Sequence, residues 1–235
     1  MFCLKGEFEE DFPAIFEALQ EVARSDPLLH GESHSDGWGY VYYDGSSLVH
    51  ERQREPVYAA SVPNVKSGFV VVHARNAAPG EPLGALNSHP HRRSDRRYEL
   101  YLAHNGWFDK KKIIGLLGER EANLSTQTDS EFFLELIFTL SGDPRERLET
   151  AAGLSKEHDL IKTAMNIFLL GVDRATGSAT VAYYTDAKEY SEYVTLYRGR
   201  GTSWSGVFSS SIRFSSRFPS SLGLEKVERD KVLEL

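Results

Sequence analysis

The stretch Glu99-Leu-Tyr-Leu-Ala-His-Asn-Gly106 narrows the fold more sharply than any other part of the sequence. Its first half alternates apolar and polar side chains and carries two tyrosines, the pattern of a strand, and it ends in a turn signal at Asn105-Gly106. Asn tolerates unusual backbone angles, and Gly lets another group approach the main chain closely. An amide side chain beside a bare backbone N–H at a strand end is a pair of donors suited to a developing oxyanion. An ordinary hairpin turn is the plain alternative, and the other segments decide between the two.

With 235 residues and 40% hydrophobic content the chain has enough apolar matter for one domain, residues 1–235. A net charge of -7 argues against nucleic-acid binding, which needs clustered Lys and Arg. The one basic cluster, Arg92-Arg93 with Arg96-Arg97, is broken by Asp95 and reads as a solvated loop. No apolar run approaches the roughly 20 residues that cross a bilayer, so no membrane is expected. The acidic start (Glu7, Glu9, Glu10, Asp11) does not read as a targeting peptide, and a lone cysteine makes no internal disulfide. A cytoplasmic location is the expectation.

Cys3 is the sole cysteine. It reads either as a small buried hydrophobe or as a nucleophile near the chain start, where an α-amino group serves as base. Phe12 to Arg24 repeats apolar residues at helical spacing, opened by Pro13 and ended by Asp26-Pro27. His34-Ser-Asp-Gly-Trp-Gly-Tyr40 leads into an aromatic strand, and its glycines, Gly37 and Gly39, suggest close approach to the backbone around Trp38. Asp44-Gly45 then turns the chain into a second strand. Ser67 to Arg75 reads as a strand buried on both faces that ends in a cation suited to a carboxylate clamp. Asn87-Ser-His-Pro-His91 invites a metal reading with His104, which is set aside because no second close His or Cys pair accompanies it. Phe108 to Leu117 reads as a short helix and Phe132 to Leu140 as an apolar one. Thr128 or Asp129 before the latter serves as its cap, or Asp129 is alternatively the partner of a ligand ammonium. Strands over 164–172, 178–184, 193–197 and 204–210 complete an α+β layered sandwich.

The order of these segments is specific: near-terminal Cys, His-x-Asp-Gly-Trp-Gly, His-x-Arg, Asn-x-His-Pro-His, His-Asn-Gly, Thr-Asp-Ser-Glu. It resembles the class II glutamine amidotransferases of the N-terminal nucleophile (Ntn) hydrolase superfamily, most closely the small stand-alone glutaminase-like type. The resemblance implies a four-layer αββα sandwich and no cofactor. By motif, Cys3 matches the nucleophile, Asn105 and the N–H of Gly106 the oxyanion hole, Arg75 the grip on the substrate α-carboxylate, and Asp129 the partner of its α-ammonium. His89, Gly37 and Trp38 lie in motifs near the site. The implied reaction is thiolate attack on the side-chain amide of glutamine, or of a γ-glutamyl amide, through a thioester. Ammonia is released or passed to a separate synthase subunit.

The sequence departs from this pattern at its start. Relatives carry Cys directly after the initiator Met, whereas here Phe2 intervenes. Phe is too large for ordinary Met removal, so Met1-Phe2 is expected to persist unless another route removes it. Asn76 stands where many relatives have Trp. A non-catalytic amino-acid-binding or regulatory protein that keeps the fold is therefore the rival to the amidohydrolase.

Overall fold

The structure is a computed structural model and describes residues 1–118 and 126–235. Two antiparallel sheets lie face to face. The first contains β1 (Phe2–Glu7), β2 (Trp38–Tyr43), β3 (Leu48–Gln53), β4 (Ser67–Ala74), β9 (Leu196–Arg200), β10 (Trp204–Ser209) and β11 (Glu225–Lys226), in the order β11-β9-β10-β1-β4-β2-β3. The second contains β5 (His91–Ser94), β6 (Tyr98–Phe108), β7 (Ile161–Asp173), β8 (Ala179–Ala187) and β12 (Leu233–Glu234), in the order β12-β8-β7-β6-β5. Helix α1 (Phe12–Arg24) covers the first sheet; α2 (Lys110–Leu117), α3 (Asp129–Thr139) and α4 (Pro144–Glu157) cover the second. This is the four-layer αββα sandwich of the Ntn hydrolases, as expected.

Period-two alternation builds the layers, because successive strand side chains point to opposite faces. On β1, Phe2 and Leu4 face α1, while Cys3 faces the second sheet. On β6, Leu100 and Leu102 face the helices, while Tyr101 and Ala103 face the first sheet. The middle layer is closed by Val71, Phe168, Leu170 and Val207. Helix α1 buries Phe12, Ile15, Phe16, Leu19, Val22 and Ala23, the periodic positions of the sequence. Phe2 is fully buried there and lies edge-on to Phe12, with ring centroids 6.1 Å apart.

Three elements differ from expectation. Asn105-Gly106 is not a turn: β6 runs on to Phe108, paired with β7, with a register shift after Gly106. The carbonyl of Ala164 comes so close that a Cβ on Gly106 would lie 1.8 Å from it, at a φ of 137° that favours Gly. Helix α4 was not expected, although its capping box is written in the sequence: Asp143 accepts from the N–H of Glu146, and Glu146 accepts from the N–H of Asp143, each at 2.9 Å. Strand β5 was also not expected. Its four residues, His91-Arg-Arg-Ser94, are all polar and leave no apolar alternation to read.

Phe2→Ala should cost about 3–5 kcal/mol in denaturant unfolding, the usual cost of emptying a buried aromatic position. A cost below about 1 kcal/mol would show that β1 does not pack under α1 as described.

Candidate functional site

A cavity of about 350 Å³ opens at one end of the paired sheets. Strand β4 delivers His73 to it, and Arg75 follows just beyond the strand end, two residues on. Strand β6 delivers Asn105 and Gly106, the start of α3 delivers Asp129, and the loop before β5 delivers His89.

Arg75 is 4% exposed, and its Nη1 has no protein partner among the described residues. Burial lowers its pKa, although Asp36, Glu81 and Asp129 nearby favour the cation. Its backbone is fixed on both sides: its N–H donates to the Gly37 carbonyl at 2.9 Å, and its carbonyl accepts from the Asp36 N–H at 3.0 Å. Asp129 is buried and accepts from the Phe108 N–H at 2.7 Å, the Ser130 N–H at 2.7 Å and the Ser130 hydroxyl at 3.1 Å. A carboxylate offers about four acceptor positions, so Asp129 retains room for one further donor. The helix cap itself is Thr128, whose hydroxyl accepts from the Glu131 N–H at 3.1 Å.

His73 Nε2 lies 3.0 Å from the His104 carbonyl and 2.8 Å from Asn105 Oδ1. The other histidines of the group are committed differently. His91 Nε2 pairs with the Thr128 hydroxyl at 2.9 Å; His104 pairs with the Ser130 hydroxyl at 2.9 Å and with the Ala164 carbonyl at 3.2 Å. His89 has neither ring nitrogen paired among the described residues. Burial pushes His73, His89 and His91 well below the ordinary histidine range and lowers His104 as well; neighbouring cationic groups add to the effect at the first three.

His34, which sequence reasoning did not mark as a site residue, also lines the wall. His34 Nε2 pairs with Asp26 at 2.9 Å, and Asp26 is 2% exposed. Burial opposes the charge of Asp26, yet hydrogen bonds from His34, the Leu28 N–H and Ser211 outweigh it and hold the carboxyl below its usual range. The signal for His73 was present in the sequence, since it precedes Arg75 by one strand period.

Cys3 is not brought to this cavity. It sits in β1 between Val71 of β4 and Val207 of β10, fully buried in the layer between the sheets, where desolvation pushes its thiol far above the ordinary range. Continuing the register sets Met1, not Cys3, opposite His73. Carrying Cys3 to that place requires a slip of two residues, about 7 Å along the strand. Such a slip keeps every side chain on its face, but it puts Phe8 where Gly6 stands. Gly6 has φ 119°, and a Cβ there would lie 2.3 Å from the Ser203 carbonyl, so the register is locked.

Gly37 and Trp38 also lie away from the cavity lining. A Cβ on Gly37 would fall 2.3 Å from Ser88 Oγ, and one on Gly39 would fall 2.5 Å from the His89 carbonyl. These glycines let the segment carrying His89 lie against β2. Trp38 points the other way, into the core under α1, edge-on to Phe16 at 5.5 Å.

The family model for class-II glutamine amidotransferases matches residues 23–163, more than half of the chain. The chain belongs to this family. The matched segment carries Arg75, His89, Asn105, Gly106 and Asp129, and it begins beyond Cys3. Among solved structures, the glutamine phosphoribosylpyrophosphate (PRPP) amidotransferase from B. subtilis, complexed with ADP and GMP, is similar over 99% of this chain and 46% of its own, at 18% identity and a TM-score of 0.66. A structure described as the allosteric regulatory enzyme of purine biosynthesis has the same coverage and identity, with a TM-score of 0.69. The chain thus spans just under half the length of these structures, and the likeness is one of fold. No curated protein matches the sequence at a significant level. No helix among the described residues is long and apolar enough to cross a membrane.

Two measurements check the site. A thiol reagent should leave Cys3 unmodified in the native protein and label it once the chain is unfolded; rapid native labelling would place the thiol elsewhere. For the buried histidines the folded pKa lies below the unfolded value of about 6.5, so in the window beneath 6.5 the unfolded chain binds more protons. Stability should therefore fall as pH drops through that window, by up to about 1.4 kcal/mol per pH unit for each histidine. A flat stability profile from about pH 7 to about pH 5 would contradict their burial as neutral rings.

Proposed function

We propose that the cavity binds L-glutamine or another γ-glutamyl amide. Arg75 would take the α-carboxylate, Asp129 the α-ammonium, and Asn105 with the Gly106 N–H the side-chain carbonyl. The observation that carries this reading is the convergence of Arg75, with its unpaired guanidinium nitrogen, Asp129 and Asn105 on one cavity. A free amino acid held at both charged ends needs one fixed cation and one fixed anion, and an amide carbonyl needs donors. Family membership supports the same ligand class.

With β1 in its locked register, the geometry favours recognition of the amide without attack by Cys3. The second reading is cleavage through a Cys3 thioester, with ammonia released or delivered to a separate synthase subunit. Family membership and the donors at Asn105 and Gly106 favour it.

Calorimetric titration with glutamine, together with an ammonia-release assay, separates the two. Glutamine should bind, and Arg75→Ala should weaken it by roughly thirtyfold or more, the effect of removing a buried charged partner. Cys3→Ala should leave affinity unchanged. Ammonia release that disappears in Cys3→Ala would establish the cleavage reading, and glutamine binding unaffected by Arg75→Ala would sink the proposed pose.

A further inference from the structure

Trp38 has no part in the cavity at the end of the sheets, but it lines a second one. This second cavity, of about 420 Å³, lies on the helix-facing side of the first sheet, at its β3 edge. Trp38 and Tyr40 of β2 line it; Gln53 and Glu51 stand directly opposite them on β3, and Glu55 follows two residues past the strand. Residues 59–63 wall the other side. Helix α1 fixes that wall, since Gln20 Nε2 donates to the carbonyls of Val57 at 2.8 Å and Ala60 at 2.9 Å. Trp38 is 5% and Tyr40 7% exposed, yet the indole N–H and the phenol O–H have no partner among the described residues. Buried tryptophan and tyrosine usually place these groups on a partner. The two rings hold each other by their faces, stacked with centroids 5.8 Å apart and planes 11° apart, so what they offer the cavity is their polar edge. Burial raises the Tyr40 pKa and the Glu51 charge adds to it, so the hydroxyl keeps its proton.

The charges around that edge are of one sign. Glu51 and Glu55 are exposed carboxylates that pair with no described side chain, and no Lys, Arg or His is among the described residues lining the cavity. An acidic rim repels an anion, and a hydrocarbon would leave the two buried donors unsatisfied. We infer that this cavity is a second binding site, for a small organic cation that also carries an oxygen acceptor: a guanidine or alkyl amine meets Glu51 and Glu55, and a carbonyl or hydroxyl oxygen of the same molecule accepts from Trp38 and Tyr40. A guanidinium suits the rim best, because its planar fork matches a carboxylate. The inference does not rest on the glutamyl-amide reading of the first cavity.

The test is a calorimetric titration of the wild-type protein, a Glu51→Gln/Glu55→Gln double variant and Tyr40→Phe. One probe is N-acetyl-L-argininamide, which carries a guanidinium and carbonyl oxygens; the other is N-acetyl-L-citrullinamide, of the same shape with an uncharged head. Wild type should prefer the argininamide by roughly fivefold or more, the worth of two partly open ion pairs. The double variant should lose that preference. Tyr40→Phe, which keeps the ring and removes only the hydroxyl, should weaken the argininamide by roughly threefold or more, the worth of one hydrogen bond. If melting curves show that Tyr40→Phe does not fold, the indole N–H resonance of Trp38 in the isotope-labelled wild-type protein replaces it, and the argininamide should shift that signal. A preference retained by the double variant puts the cation elsewhere and overturns the inference. Affinity unchanged in Tyr40→Phe, or an unmoved Trp38 signal, reduces the site to an exposed acidic surface and overturns it as well. So does absence of argininamide binding to wild type. None of these outcomes bears on glutamine in the first cavity, which its own titration decides.

Discussion

One imidazole N–H joins the two sheets at the end where the cavity opens. It belongs to His73 on β4 of the first sheet and points at the His104 carbonyl and the Asn105 side chain on β6 of the second. Deeper between the sheets lie Val71, Phe168, Val207 and their neighbours, an apolar layer that fixes spacing but carries no direction of its own. The hydrogen bond supplies the direction. It holds the carbonyl end of the Asn105 amide, so the opposite end is presented to the cavity, and it fixes which nitrogen of His73 is bare. Being buried, it is also expensive to break, because either partner left alone would keep an unsatisfied polar group.

The same alternation that builds the sandwich also governs the thiol. Cys3 and His73 both face the space between the sheets, but His73 lies at the open end and Cys3 about two residues inward. Gly6, pressed against the Ser203 carbonyl, prevents β1 from slipping to bring the sulfur out. The outcome is a cavity with Arg75, Asp129 and Asn105 in its wall and the single thiol of the chain in the core. The charge arrangement is self-consistent: Arg75 is kept cationic beside Asp36, Glu81 and Asp129, while the histidines around it are kept neutral by burial and by Arg75 itself.

Much of this was readable in the sequence because it follows from local patterns. The helix over Phe12–Arg24, the buried strand ending near Arg75 and the aromatic strand after Trp38 all stand where periodicity put them. Motif order brought Arg75, Asp129, Asn105, Gly106 and His89 to one cavity. What failed depended on neighbours distant in the chain. Asn105-Gly106 has the residues of a turn, yet Asn166 and Met165, far along the sequence, pair beside it and draw the strand onward. Cys3 has the right motif position, but its depth is set by register against β4 and β10, which no local signal reports. Gly37 and Trp38 were set near the site by their motif, and the two glycines around the ring signalled a close approach to the backbone. The approaching group is the backbone of Ser88 and His89, and the ring belongs to the core beneath α1. Helix α4 shows the opposite failure, a capping box plainly written at Asp143 and Glu146 and passed over.

The central claim is that this cavity holds a glutamyl amide head to tail between Arg75 and the Asn105 amide. A crystal structure of the protein with bound L-glutamine tests it most directly. The account predicts the α-carboxylate in hydrogen-bond contact with Arg75 and the side-chain carbonyl facing Asn105 and Gly106. Glutamine bound with its carboxylate away from Arg75, or seated outside this cavity, would contradict it.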